Sequence, residues 1–280
     1  MMNRLDRARF PPGLIAFPTM LTISLGSLCA LAVPMKFSDP QVQSVVRNFK
    51  SPQWHERLEA FYAFIDLGLK THHGSQSAPP DAVRAFLQAD PSSRLAITLA
   101  LTDLLERETD LMYSTAAPGT EEHSDYFADV IWAVTTLREP LSLKVILRCI
   151  NTGGMATGAL AAMGDDALRA VLDLLPKADK QTRLSVLQVL SSMAEPRNLD
   201  NLTKEGSRTA LVGVLLESAN STDPDFRIIA ARALAQFPAS PEAVSTLNRL
   251  AAADPYIETK DGKPTYPVRQ AAAAALKAHR

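Results

Sequence analysis

One eight-residue pattern recurs along this chain, and its recurrence restricts the fold more than any other feature. Arg227-Ile-Ile-Ala-Ala-Arg-Ala-Leu234 and Arg269-Gln-Ala-Ala-Ala-Ala-Ala-Leu276 share the Arg, the fourth-position Ala and the final Ala-Leu at an offset of 42 residues. Arg183 to Leu190 fits at an offset of 44; Arg94 to Leu101 and Arg57 to Phe64 fit more loosely, and Ala156 to Met163 keeps an Ala-x-x-Ala-Leu. A period of this size is that of a two-helix unit, which cannot bury its own apolar face and must stack on its neighbours.

The spacing of apolar residues agrees. Leu58, Phe61, Tyr62, Ile65 and Leu69 form one set, Phe127, Val130, Ile131, Val134 and Leu137 a second, and Phe226, Ile229, Ala230, Ala233, Leu234 and Phe237 a third. Steps of three and four place each set on one helical face. The 19 prolines do not oppose this. Asp39-Pro40, Ser51-Pro52, Asp90-Pro91, Asp223-Pro224, Ser240-Pro241 and Asp254-Pro255 each put a capping side chain before a proline, the signature of a helix start. About a dozen helices are expected from Ser38 onward, and no alternating run signals a core strand. The chain is 46% hydrophobic but only 6% aromatic, as close packing through small alanines requires.

The sequence Asp-Pro, an apolar residue, Arg and Ala-x-x-Ala-Leu, followed by an apolar second helix such as Ala243 to Leu250, resembles HEAT repeats. The nearest variant is similar to the short HEAT-like repeats also found in phycobilisome lyases. Asp223 to Ala252 and Asp254 to Ala278 carry the resemblance best, Gly154 to Met193 fairly, and Ser51 to Leu137 only by period. The resemblance implies an all-α fold, an α-solenoid of about six helix-pair repeats over residues 33–280. It also implies that Arg183, Arg227 and Arg269 pair with turn acids such as Asp179, Asp223 or Asp225, as a structural ladder. No catalytic residue of the lyases maps onto this chain.

Arg4, Arg7 and Arg9 precede an uncharged stretch from Phe10 to Met35. Its longest unbroken run, Thr19 to Val33, spans about 22 Å as a helix, short of the roughly 30 Å hydrocarbon core. Ala30-Leu31-Ala32 has the small-x-small pattern of a signal-peptidase site. Residues 1–32 are therefore expected to be a signal peptide and the protein to be periplasmic or secreted, without a stable membrane span in its mature form. An N-terminal membrane anchor and lipidation at Cys29, which follows Leu28, are the alternatives. Without residues 1–32 the remainder holds 26 basic against 29 acidic residues and a formal charge of -3, which argues against nucleic acid as the partner.

Candidate chemistry is sparse. His72-His73 stand in a Gly/Ser/Pro-rich loop, Thr71 to Pro80, expected to be solvated. His55-Glu56 is a single pair, whereas deoxyhypusine hydroxylase, a HEAT-like enzyme, gathers several to hold two irons. Glu121, Glu122, His123 and Asp125 fall where a helix should begin, and acids there complement its dipole. Cys149, in the apolar segment Leu141 to Ile150, is expected to be a buried packing residue. No catalytic residue, metal ligand or cofactor is assigned.

One interruption of the repeat stands out. Tyr256 to Tyr266 is about ten residues longer than the turn at Asp223 to Phe226, and Asp261-Gly262 is a tight-turn signal. A small hairpin is expected there, presenting Tyr256, Lys260, Lys263 and Tyr266 as a partner-binding loop, or else only capping the last helix pair. The expected function is that of a non-enzymatic scaffold or adaptor holding another protein outside a bacterial cytoplasm. The alternative is an enzyme or a small-ligand or metal-binding protein, for example lyase-like, whose site is assembled across repeats around His72, His73 or His123.

Overall fold

The structure is a computed structural model and describes residues 35–69 and 78–278. In chain order its helices are α1 (Pro40–Arg47), α2 (Trp54–Leu69), α3 (Pro79–Ala89), α4 (Arg94–Met112), α5 (Glu121–Leu137), α6 (Leu143–Arg148) and α7 (Gly154–Ala162). They continue with α8 (Asp165–Leu174), α9 (Lys180–Ala194), α10 (Pro196–Leu199), α11 (Ser207–Ser218), α12 (Pro224–Leu234), α13 (Pro241–Ala253) and α14 (Pro267–Ala278).

Helix starts follow the chemistry of the sequence. Pro40, Pro224 and Pro241 occupy first-turn positions, where a missing N–H leaves no helical bond unmade. The Asp223 carboxylate accepts from the Asp225 N–H, the Ser240 hydroxyl from the Ala243 N–H, and the Asp179 carboxylate from the Thr182 N–H. Each satisfies an amide that the helix itself cannot. Thr120 caps α5 through the His123 N–H, with Glu121 and Glu122 in the first turn, so those acids sit where the dipole favours them.

Two rows of helices result. In one, α3, α5, α7, α9, α12 and α14 pack side by side in that order, with α2 against α3 at the leading end. In the other, α4 lies beside α6, and α8, α11 and α13 follow one another. The rows join through α4 with α5, α6 with α7, α11 with α12 and α13 with α14. The buried side chains run as one continuous cluster from Phe37 to Ala275. This is an all-α solenoid: each two-helix unit covers the apolar face of the next. Close approach is built in at Gly68, where a Cβ would stand 2.8 Å from the Phe86 ring and 2.9 Å from the Ala82 Cβ. Gly164 precedes α8 at φ +65°, and a Cβ there would meet the Asn201 carbonyl oxygen at 2.3 Å.

The expected insertion is a hairpin. β1 (Glu258–Lys260) pairs antiparallel with β2 (Lys263–Thr265), with Glu258 opposite Thr265 and Lys260 opposite Lys263. Asp261 and Gly262 have φ of 54° and 73°, the two positive values that a two-residue type I′ turn needs.

Three expectations change. Pro255 does not open a helix: Asp254 ends α13 in an extended conformation, the hairpin intervenes, and the next helix begins at Pro267. Pro79 and Pro80, assigned to a loop, open α3. The arginines also choose partners other than the acids at their own helix starts, for reasons given below. Among the described residues, no helix is long and apolar enough to cross a membrane.

Candidate functional site

The ladder arginines lie in the first turns of their helices, from which a long side chain reaches back past the N-terminus. Arg227 Nη1 donates to the Ser221 and Thr222 carbonyls at 2.9 and 3.0 Å, and its Nε and Nη2 hold the Asp254 carboxylate at 2.7 and 3.0 Å. Asp223 is unavailable to it, since that carboxylate caps α12 and pairs with Lys180 at 2.7 Å. Arg94 likewise reaches across a repeat, from Nε to Glu139 and from Nη2 to the Leu137 carbonyl at 2.9 Å. Arg269 donates to the Asp254 carbonyl at 2.7 Å and lies 4.5 Å from the Tyr266 ring centroid. The ladder thus runs between repeats, whereas pairing with Asp179, Asp223 or Asp225 was expected. Among the described residues the Arg183 guanidinium has neither an ion pair nor a hydrogen-bond partner; only its backbone N–H is bonded, to the Asp179 carbonyl at 2.9 Å.

Arg57 repeats the geometry of Arg227, donating through Nη1 to the Ser51 and Pro52 carbonyls at 2.8 and 3.1 Å. Its Nε goes to Glu108, which is fully buried. Glu108 also accepts from the Tyr126 hydroxyl at 3.1 Å and meets His123 Nε2 at 3.2 Å. His123 is itself buried, with the Trp54 ring edge-on at 4.9 Å. Burial first, and the Glu108 charge second, push the Tyr126 phenol far above its ordinary value. The Glu108 carboxylate is thus held by Arg57 and Tyr126, lies against His123, and is sealed from solvent. This cluster clasps α2, α4 and α5 together.

His72 and His73 lie outside the described residues. His55 lies against Trp54, 3.6 Å between ring centroids with the planes tilted by 33°. Cys149 is buried, its Sγ 3.3 Å from Thr109 Oγ1, and burial raises its pKa, as suits an inert packing residue. Among the described residues no group of three or more His, Cys, Asp or Glu side chains is arranged to hold a metal ion.

In the hairpin, Lys260 and Lys263 face solvent opposite one another. Tyr256 packs against the core and Tyr266 carries Arg269 on its face. The two tyrosines are thus half committed to the scaffold, and Ile257, 53% exposed, is the apolar side chain the hairpin leaves open.

A more developed surface escaped the sequence reading. Across α3, α5 and α7 runs an open groove of about 560 Å³, with Trp132 in its lining and Arg84, Arg94 and Arg138 around it. Trp132 is 42% exposed. Arg84 pairs with Asp81 at 2.8 Å and Arg94 with Glu139, while Arg138 is exposed and unpaired among the described residues. Arg138 ends α5 in the left-handed region, φ 53° and ψ 37°, a position that glycine fills without steric cost. Small residues on α7, Gly158 and Ala162, keep the groove open. The signal for it lay in the sequence only as a tryptophan on the polar side of an apolar stripe.

No family profile matches the chain, and no curated protein matches it. Among solved structures, an engineered protein is similar over 85% of this chain and 95% of its own, at 18% identity and a TM-score of 0.42. Computationally designed armadillo repeat proteins for modular peptide recognition are similar over 84% of this chain and 98% of theirs, at 15% identity and a TM-score of 0.40. Human deoxyhypusine hydroxylase is similar over 85% and 95%, at 15% identity and a TM-score of 0.33. Likenesses of this degree carry no functional assignment, and the solenoid stands on the helix packing itself.

Proposed function

We propose that this protein is a non-enzymatic, HEAT-type scaffold that holds another protein on the groove across α3, α5 and α7. One observation carries the reading: Trp132 stands exposed in a groove beside an unpaired Arg138. Tryptophan and arginine are the residue types that most often dominate protein interfaces, because each offers a large contact area and a directed donor. The buried state of the Glu108 cluster supports the non-enzymatic part of the reading. The hairpin, with Ile257, Lys260 and Lys263 exposed, is a second contact surface in the same scheme.

The N-terminal pattern, three arginines, an apolar stretch and Ala30-Leu31-Ala32, supports export with residues 1–32 as the signal, and hence action outside the cytoplasm. A reporter active only after export, fused behind residue 40, tests this part: activity lost on Leu25→Arg, which charges the apolar run, and an uncleaved but still active precursor on Ala32→Glu are the expected results. For the scaffold, a photo-crosslinking amino acid at position 132 should give a discrete protein adduct in cells. Adducts from position 260 alone would move the contact to the hairpin; none from either would end the proposal.

A further inference from the structure

The ladder contains one vacancy, and it opens into a groove. Arg94 and Arg227 each stand four residues after an acid at their helix start, and each reaches the acid that precedes the next helix of its own row, Glu139 and Asp254. Arg183 stands four residues after Asp179, and α12 is the next helix of its row. By the same register its partner is Asp223. Lys180, one turn earlier, has taken that carboxylate at 2.7 Å, through a bond that holds the Asp223 pKa below its ordinary value. The Arg183 guanidinium is left exposed, with no partner among the described residues, in the lining of an open groove of about 660 Å³ between α8, α9, α11 and α12.

Leu172, Leu175, Val214 and Phe226, all partly exposed, line that groove with apolar surface, and Glu217 is the other ionisable group in it. We infer that this groove is a second binding site, independent of the one at Trp132, for an extended protein segment in which an acidic side chain is flanked by aliphatic ones. The guanidinium receives the carboxylate, two parallel N–H donors matching its two oxygens; the leucine, valine and phenylalanine walls receive the aliphatic neighbours; and Glu217 accepts a backbone N–H. The groove is several times the volume of one residue, so it suits a passing segment better than a lone chain end.

The full chain is titrated with the fluorescein-labelled, C-amidated peptide Gly-Leu-Glu-Leu-Gly and with its Gln counterpart, followed by anisotropy. The Glu peptide is expected to bind about five- to tenfold more tightly, as a charge-assisted bond on a partly exposed site provides. Arg183→Gln should erase that difference. Lys180→Ala should weaken the Glu peptide without touching the groove, because Asp223 is then released to Arg183, whereas Trp132→Ala should leave it unchanged. Absence of binding, equal binding of the two peptides, or loss with Trp132→Ala would overturn the site. So would equally tight, Arg183-dependent binding of the free acid Gly-Leu-Leu, which would make it a receptor for chain ends.

Discussion

Arg227 grips Asp254 with two guanidinium nitrogens, at 2.7 and 3.0 Å, and so ties the first turn of α12 to the turn that leads into the hairpin and α14. Both side chains are largely buried, 10% and 2% exposed. Breaking a buried pair from one side strands the other charge. Arg227→Met is therefore expected to lower stability by about 3 kcal/mol or more and to loosen α14 first, visible as faster amide exchange there than in α2.

The same pair sets a pH dependence. Burial alone would raise the Asp254 carboxyl, but bonds from Arg227 and the Tyr256 N–H and the nearby guanidinium charges outweigh it and hold its pKa below the ordinary value. A group depressed in the folded state adds stability above its unfolded pKa, about 3.9, and loses it as pH falls through the folded value. Denaturant midpoints should fall below about pH 4, and less so in Asp254→Asn, which has already lost that contribution.

Glu108 offers a test of clasp against catalyst. Glu108→Leu leaves Arg57 buried without its counter-charge and should cost about 3–5 kcal/mol, whereas Arg57→Met added to it should restore part of that loss, the Tyr126 hydroxyl and the Ser51 and Pro52 carbonyls then lacking their partners. Thermal unfolding of the two variants and of the wild type decides the matter. A Glu108→Gln protein of full stability that had lost an activity would contradict the clasp.

At Arg138, stability and binding should part company. Arg138→Gly relieves a left-handed backbone and is expected to stabilise the protein by up to about 1 kcal/mol, while removing the unpaired guanidinium from the groove. Crosslinking from position 132 should weaken although the melting temperature rises. If both improve together, Arg138 is not a contact.

Gly164→Ala should be among the most damaging single changes. It combines a positive φ with a Cβ 2.3 Å from the Asn201 carbonyl oxygen, a loss of about 2–4 kcal/mol, read as a lowered denaturant midpoint.

The repeat period, most proline-marked helix starts and the Asp261-Gly262 hairpin were legible in the chain itself, because each depends on residues within a few positions of one another. Helical faces such as Phe127, Val130, Ile131, Val134 and Leu137 emerged buried as their spacing required. Pro255 misled because an acid-proline pair marks any turn start, and only the hairpin beyond it decides whether a helix follows.

What the tertiary structure alone decided lies between repeats. Arg57 and Glu108 are 51 residues apart, and Arg227 and Asp254 are 27; no local rule says which acid a long guanidinium will find once helices are stacked. The two grooves belong to the same class, since they exist only where side chains from several helices converge. Sequence fixes a helix's face through short-range geometry, but the partner of that face, and the space left beside it, come from how neighbouring units settle on one another.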